Sequence, residues 1–326
     1  MARLVTRLTR QLGIEHPVLS APMALAAGGA LAAAVTRAGG LGLIGGGYGD
    51  AAWLETQFGQ AGNTRIGCGF ITWSMARQPD LLTQALAHRP AALMLSFGDP
   101  QPFAAEIAAT NVPLICQCQS LDHVRQALDA GAAIIVAQGG EAGGHGHRRA
   151  TLPFVPEVAD LLARQSPDTL LLAAGGIADG RGLAASLMLG ADGVLVGTRF
   201  WASREALVHE GHHAAALAAT GDGTVRTSLP DIARRLDWPK PFDIRVAANA
   251  FTRRWAGRDE EFRAAIEQEA PAYREAFAAG DAQNAAVIVG EAVGLVSDVP
   301  PAGEIVTRMV EEAAALLGER ARGFLG

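Results

Sequence analysis

From residue 17 to about residue 215 the chain alternates short apolar runs with Ala- and Leu-rich stretches of helical period, a pattern that predicts repeated βα units. The runs that read as strands are PVLSA from Pro17, LGLIG from Leu41, RIGCGFI from Arg65, ALMLSF from Ala92, VPLICQC from Val112, AAIIVAQ from Ala132, LLLAAGG from Leu170 and GVLVGTRF from Gly193, eight in all. Between them lie helical stretches such as LAAAVTRAG, PDLLTQALAHR, SLDHVRQALDAG and DGRGLAASLMLG, the third opening on Ser120 as an N-cap. Runs that are apolar on both faces suit any buried parallel strand, in a closed barrel or an open doubly wound sheet.

The glycines favour the barrel. They follow strand ends, at Gly45 to Gly47, Gly139 to Gly144, Gly175 and Gly176, and Gly197. In a (β/α)8 barrel those ends meet at one mouth, so the loops surround a single site. The expected fold is therefore α/β, a (β/α)8 TIM barrel over residues 1–218, with a mainly helical segment, 219–326, that flanks or caps the mouth. Turn-like TGDGT and WPKPFD open that segment, and Arg254 and Trp255 lead into a charged helix, DEEFRAAIEQEAPAYREAF.

Composition narrows the class of function. A chain of 326 residues, 49% hydrophobic, has apolar surface for a sizeable core, and its net charge of -6 with scattered Lys and Arg carries no footprint for nucleic acid. Cys68, Cys116 and Cys118 are too few for a disulfide framework or a zinc site, which fits a reduced, intracellular setting. His16 and Pro17 interrupt the N-terminal apolar stretch before a signal-peptide core forms, and glycines break the Ala-rich stretch after Pro22. A cytoplasmic protein without membrane contact is expected; homo-oligomer formation stays open.

Candidate chemistry clusters at strand ends. AAGGIADGRG (Ala173 to Gly182) and GADGVLVGTRF (Gly190 to Phe200) place Gly175 and Gly176 after one strand and Gly197 and Thr198 after the next. Phosphate needs converging backbone N–H groups with no Cβ in the way, and the loops after strands seven and eight of a barrel commonly provide them. A lone Gly-Gly only makes a tight turn. AQGGEAGGHGHRR offers Gln138 and Glu141 to bond a polar ring or orient a neighbour, and Ala142, Gly143 and Gly144 to let a planar ligand approach. Its His145 is an imidazole that titrates near neutrality at the mouth. His147, two residues on, points the opposite way in an extended segment. In SAPMALAAGG, Ala21, Pro22 and Met23 can lie against a flat ring. Gln117, between Cys116 and Cys118, faces the barrel interior if the thiols pack under helices, and a redox thiol pair is disfavoured on one strand face. Gly290 and Gly294 stand at GxxxG-like spacing, which fits helix packing or a lid.

Together APM at Ala21, QGGEAGGHGH at Gln138, AAGGIADGRG, GADGVLVGTRF and GEAVGLVSDVPPAGEIV near the C-terminus resemble the nitronate monooxygenase family, formerly 2-nitropropane dioxygenases, over nearly the whole chain. The resemblance implies FMN as cofactor, its phosphate on Gly176, Gly197 and Thr198, its ring beside Ala21, Pro22 and Met23, and His145 as catalytic base. It implies a nitronate or nitroalkane substrate, with dioxygen converted alongside it to a carbonyl compound and nitrite. Two positions depart from the family: Gly69 stands where members often carry Asn, and Gln117 where many carry Lys. Related FMN barrels include NAD(P)H-dependent quinone and enoyl-acyl carrier protein reductases, and a non-catalytic phospho-ligand binder is the alternative of another class.

Overall fold

The computed structural model describes residues 3–78, 80–320 and 323. Each predicted apolar run contains a strand: β1 (Val18–Ser20), β2 (Leu41–Gly47), β3 (Gly67–Ile71), β4 (Leu93–Ser96), β5 (Leu114–Cys118) and β6 (Ile134–Gln138). After β7 (Gly144–Gly146), which lies outside this sheet, come β8 (Leu170–Ala174) and β9 (Gly193–Val196). The eight sheet strands pair in parallel in chain order and β9 returns to β1, with Leu19 opposite Leu195, closing the barrel.

Alternation along each strand sorts side chains into two layers. On β6, Ile134 and Val136 join Leu19, Leu43, Ile115 and Leu172 in the interior, whereas Ile135 and Ala137 pack beneath the helices. Burying an aliphatic side chain of this size stabilises the fold by about 1.5–3 kcal/mol. Helix Arg7–Leu12 plugs the end away from the site: Leu8 and Leu12 belong to the interior layer, and Arg7 Nε and Nη2 bond Asp192 at 2.9 and 2.8 Å. The predicted helices form at Gly29–Arg37, Asp80–Ala87, Leu121–Asp129 and Gly180–Met188. Ser120 caps the third as expected, accepting from His123 N at 3.2 Å. Asp179 caps the fourth through Arg181 N and Gly182 N.

The stretch after residue 218 divides in three. Strands β10 (Thr224–Thr227) and β11 (Asp243–Ala247) pair antiparallel, and β11 also pairs with β7, Ile244 opposite His145. Above this sheet Phe251, Trp255, Phe262 and Tyr273 form a core of their own with Ile232 and Val246. The charged stretch read as one helix is two, Asp259–Ala264 and Ile266–Ala278, separated at Ala265. Finally helix Ala302–Ala315 leaves the mouth and packs on helices Gly180–Met188 and Gly29–Arg37, adding Ile305, Val306, Met309 and Val310 to the barrel's outer layer. The ring of helices is thus completed by the C-terminal part of the chain. Among the described residues no helix is long and apolar enough to cross a membrane.

Candidate active site

A cavity of ≈ 1210 Å³, counted to its open mouth, lies at the C-terminal ends of the barrel strands, and it is lined from the glycine loops by Gly47, Gln138, Glu141 to His145, Gly175, Gly176, Gly197 and Thr198, while Gly45, Gly46, Gly139 and Gly140 lie outside its lining. After β1, Ala21 N donates to Val196 O at 2.9 Å, seating Ala21, Pro22 and Met23 at the wall. Pro22 lies on Gly69 of β3, where an added Cβ would stand 2.4 Å from Pro22 Cγ. The missing side chain at 69 is therefore what lets the β1 loop fold inward. Gln117 faces the cavity from β5, while Cys116 and Cys118 sit in the outer layer. Burial pushes the Cys116 thiol up to about 12, and raises the Cys68 and Cys118 thiols as well, so all three stay protonated and inert at neutral pH.

The wall opposite is made by the loops after β6, β8 and β9. Gly175 and Gly176 hold φ of +98° and +74°, a region an L side chain rarely adopts. At Gly197 an added Cβ would meet nothing closer than Ala21 Cβ and Met23 Sδ, both 3.8 Å away, so the space beside its backbone is open. Thr198 Oγ1 accepts from Gly290 N at 2.9 Å. Gly290 also presses on the β6 loop, since a Cβ there would lie 2.5 Å from Glu141 O and from Gly143 N. The GxxxG-like segment is not a helix pair: Gly290 precedes the short 3-10 turn Glu291–Leu295 and meets Gly143 backbone to backbone, while neighbouring Ile288 and Ala292 line the cavity.

Of the two roles open to Gln138 and Glu141, the structure shows orientation. Gln138 Nε2 donates to His145 O at 3.1 Å and its Oε1 accepts from Gln119 Nε2 at 2.9 Å. Glu141 accepts from Thr151 N at 3.0 Å and from Thr151 Oγ1 at 2.8 Å. These bonds fix the loop that carries Ala142, Gly143 and Gly144 to the cavity and shapes it around His145.

His145 lies on β7 with 9% exposure and lines the cavity. Its Nε2 is 3.0 and 2.9 Å from the two carboxylate oxygens of Asp231, itself 3% exposed and bonded at Oδ1 by Arg234 Nη2 at 2.7 Å. Trp238 stacks on the imidazole with ring centroids 3.3 Å apart and planes 9° from parallel. Burial pushes the imidazole pKa down; the Asp231 carboxylate pulls it back, Arg234 and Arg226 push down again, and it stays below its ordinary value. A neutral imidazole, confined and hydrogen-bonded to a carboxylate, is the form that accepts a proton at neutral pH. His147, outside the cavity lining, has a buried Nδ1 without a partner.

Sequence reasoning missed Asp231, Arg234, Trp238, Tyr48 and Phe97, all of them around His145. Asp231 and Arg234 stand in LPDIARR, a short helical turn opened by Pro230, and Trp238 in a Pro-rich turn. Only the folding of 219–247 over the mouth brings them to a loop almost a hundred residues earlier.

The family model described as nitronate monooxygenase matches residues 5–64 and 72–312. A nitronate monooxygenase of Metarhizium robertsii is 37% identical, covering 92% of this chain and 91% of the relative. That of Neurospora crassa is 33% identical, with 92% and 89% covered. Among solved structures, FabK from Thermotoga maritima superposes with a TM-score of 0.86 at 30% identity, covering 98% of this chain and 99% of its own. The nitroalkane oxidase of Streptomyces ansochromogenes gives 0.78 at 25%, with 98% and 100% covered.

Proposed function

This chain belongs to the nitronate monooxygenase family and is an oxidoreductase, and from that premise we propose that it binds FMN in the barrel mouth and oxidises alkyl nitronates or nitroalkanes, with His145 as base. The observation that carries the reading is a buried imidazole, backed by a carboxylate, on the wall of a cavity whose other side is open glycine backbone.

The residues fit the cofactor. Gly197 leaves a space that a Cβ would fill, Gly176 takes a conformation suited to glycine, and Thr198 closes the turn between them and Gly290. These three would hold the phosphate. Ala21, Pro22 and Met23 would lie along the ring, with Gly69 beneath Pro22, and Gln117, Gln138 and the Ala142 to Gly144 loop at its edges. FMN, when bound, would supply the acceptor for the substrate's electrons. His145 removes the proton from the carbon beside the nitro group, and the carboxylate of Asp231 matches the imidazolium that results. The apolar wall of Phe97, Trp238, Ile244 and Ile288 keeps water from the reacting carbon. At the place of a common family lysine, Gln117 offers a neutral amide; the lining Arg234 is already engaged by Asp231. A neutral partner stabilises an anionic reduced flavin less, which keeps a pyridine-nucleotide reductase as the competing reading.

Anaerobic mixing separates the two. The purified yellow protein should bleach with propionate-3-nitronate or ethylnitronate and not with NADH or NADPH. Bleaching by a pyridine nucleotide alone would overturn the assignment, and a colourless protein would remove the flavin from it.

A further inference from the structure

We propose that Asp231 is the positioning residue of this site, holding the Nε2–H of His145 so that Nδ1 is the atom that takes the substrate proton. The inference rests on His145 acting as base and adds which nitrogen acts and what makes it available.

A neutral imidazole carries one N–H, and an ionised carboxylate only accepts. With both oxygens of Asp231 within 3.0 Å of Nε2, the hydrogen sits on Nε2 and the lone pair on Nδ1. The ring cannot swing to exchange these places. Trp238 covers one face at 3.3 Å, its Nε1 donating to Tyr48 Oη at 3.0 Å, and Phe97 meets the ring edge-on with centroids 6.1 Å apart. The backbone beneath is held by Gln138 on His145 O. Asp231 is in turn held by Arg234.

The proton balance is simple. The substrate C–H bond breaks, an Nδ1–H bond forms, and the electron pair stays on the substrate as its nitronate. The imidazolium is matched by Asp231 and later returns its proton to water. Charged and titratable groups facing the imidazole are Asp231 and Arg234 from the turn at 229–234, Arg226 from β10, itself paired with Asp243 of β11, and Tyr48 from the loop after β2. Asp231 is the group among them that favours the protonated ring through direct contact. Of these charged and titratable groups all but Tyr48 belong to 219–247, so the imidazole gains its carboxylate partner only when that segment is folded on the mouth.

The test has one arm without substrate and one with it. In flavin-loaded protein with 15N-labelled histidine at pH 8, the His145 signal, assigned by its loss in His145→Ala, should show hydrogen on Nε2 and a bare Nδ1. Asp231→Asn should lower kcat/KM for nitroethane by at least about 100-fold but for ethylnitronate by less than about tenfold. It should also move the acidic limb of the nitroethane pH profile to lower pH, because the group that favours the imidazolium is gone. Asp231→Glu should recover part of the lost activity and return the limb upward. Hydrogen on Nδ1 in the wild type overturns the proposal. So does an Asp231→Asn enzyme that loses both substrates equally with the limb unmoved. If Asp231→Asn fails to fold, the wild-type tautomer and Asp231→Glu still decide. If the wild type oxidises no nitronate at all, the proposed function fails, while the tautomer measured without substrate still judges this inference.

Discussion

At the scale of single residues, chemistry and steric demand can be told apart at adjacent positions of the cavity wall. In the proposed reaction His145 serves proton removal alone, so His145→Ala should keep its flavin absorbance and lose at least about 100-fold on neutral nitroalkanes, with a much smaller loss on preformed nitronates. Steady-state assays on the two forms of one compound check this, and equal losses would show that His145 is not the base. Gly197 matters in the proposed site for the space it leaves empty. Gly197→Asp has room to fold, with no atom nearer than 3.8 Å to its Cβ, but puts bulk and negative charge where the proposed phosphate site lies. It should purify with less than a tenth of the wild-type flavin, read as the ratio of visible to protein absorbance; full occupancy would take Gly197 out of the proposed site. Gly69 is different again. Its replacement by Asn would drive a side chain into Pro22, 2.4 Å from the new Cβ, and should cost about 1–3 kcal/mol of stability. That His145, Gly176 and Gly197 meet at one cavity was legible in the sequence, because each is a residue type with special chemistry or backbone freedom at a strand end. Asp231 was not, because a carboxylate in a helical turn is unremarkable until its partner is known.

Elements show where the cap is fastened to the barrel. The strap around Gly290 crosses the β6 loop so closely that only glycine fits on either side, with Glu291 N donating to Glu141 O at 2.9 Å and Gly290 N to Thr198 Oγ1. Gly290→Ala, whose Cβ would meet Gly143 N and Glu141 O at 2.5 Å, should therefore destabilise by about 1–3 kcal/mol and loosen the flavin. Thermal melting and flavin release on dilution measure both effects, and unchanged values would show that the strap yields. The eight barrel strands could be read because each is a continuous apolar run buried on both faces. Strands β10 and β11 could not. TVRT and DIRVA are short, carry Arg226 and Arg245 on one face, and become strands by pairing with each other and with Gly144–Gly146, a partner distant in sequence.

For the whole molecule the buried histidines make a prediction about pH. Burial lowers the pKa of His16, His123, His145 and His212 in the folded chain, in each case as the largest cause. Above the unfolded value of about 6.5 the histidines are neutral in both states and stability is full. As pH falls below that value the unfolded chain binds protons that the folded chain resists, so stability declines until the folded values are passed. Melting temperatures should drop between about pH 7 and pH 5, before most carboxylates titrate, and a flat profile there would contradict the burial. The sequence by itself determined the barrel, its strand order and the glycine loops at one mouth, because these follow from local periodicity and from residues whose backbone freedom is intrinsic. It did not determine that the C-terminal helix returns to complete the ring, nor that residues 229–238 supply the carboxylate, the cation and the aromatic face around His145. Those depend on contacts between segments far apart in the chain, which no local pattern encodes and which burial and pairing in the folded chain decide.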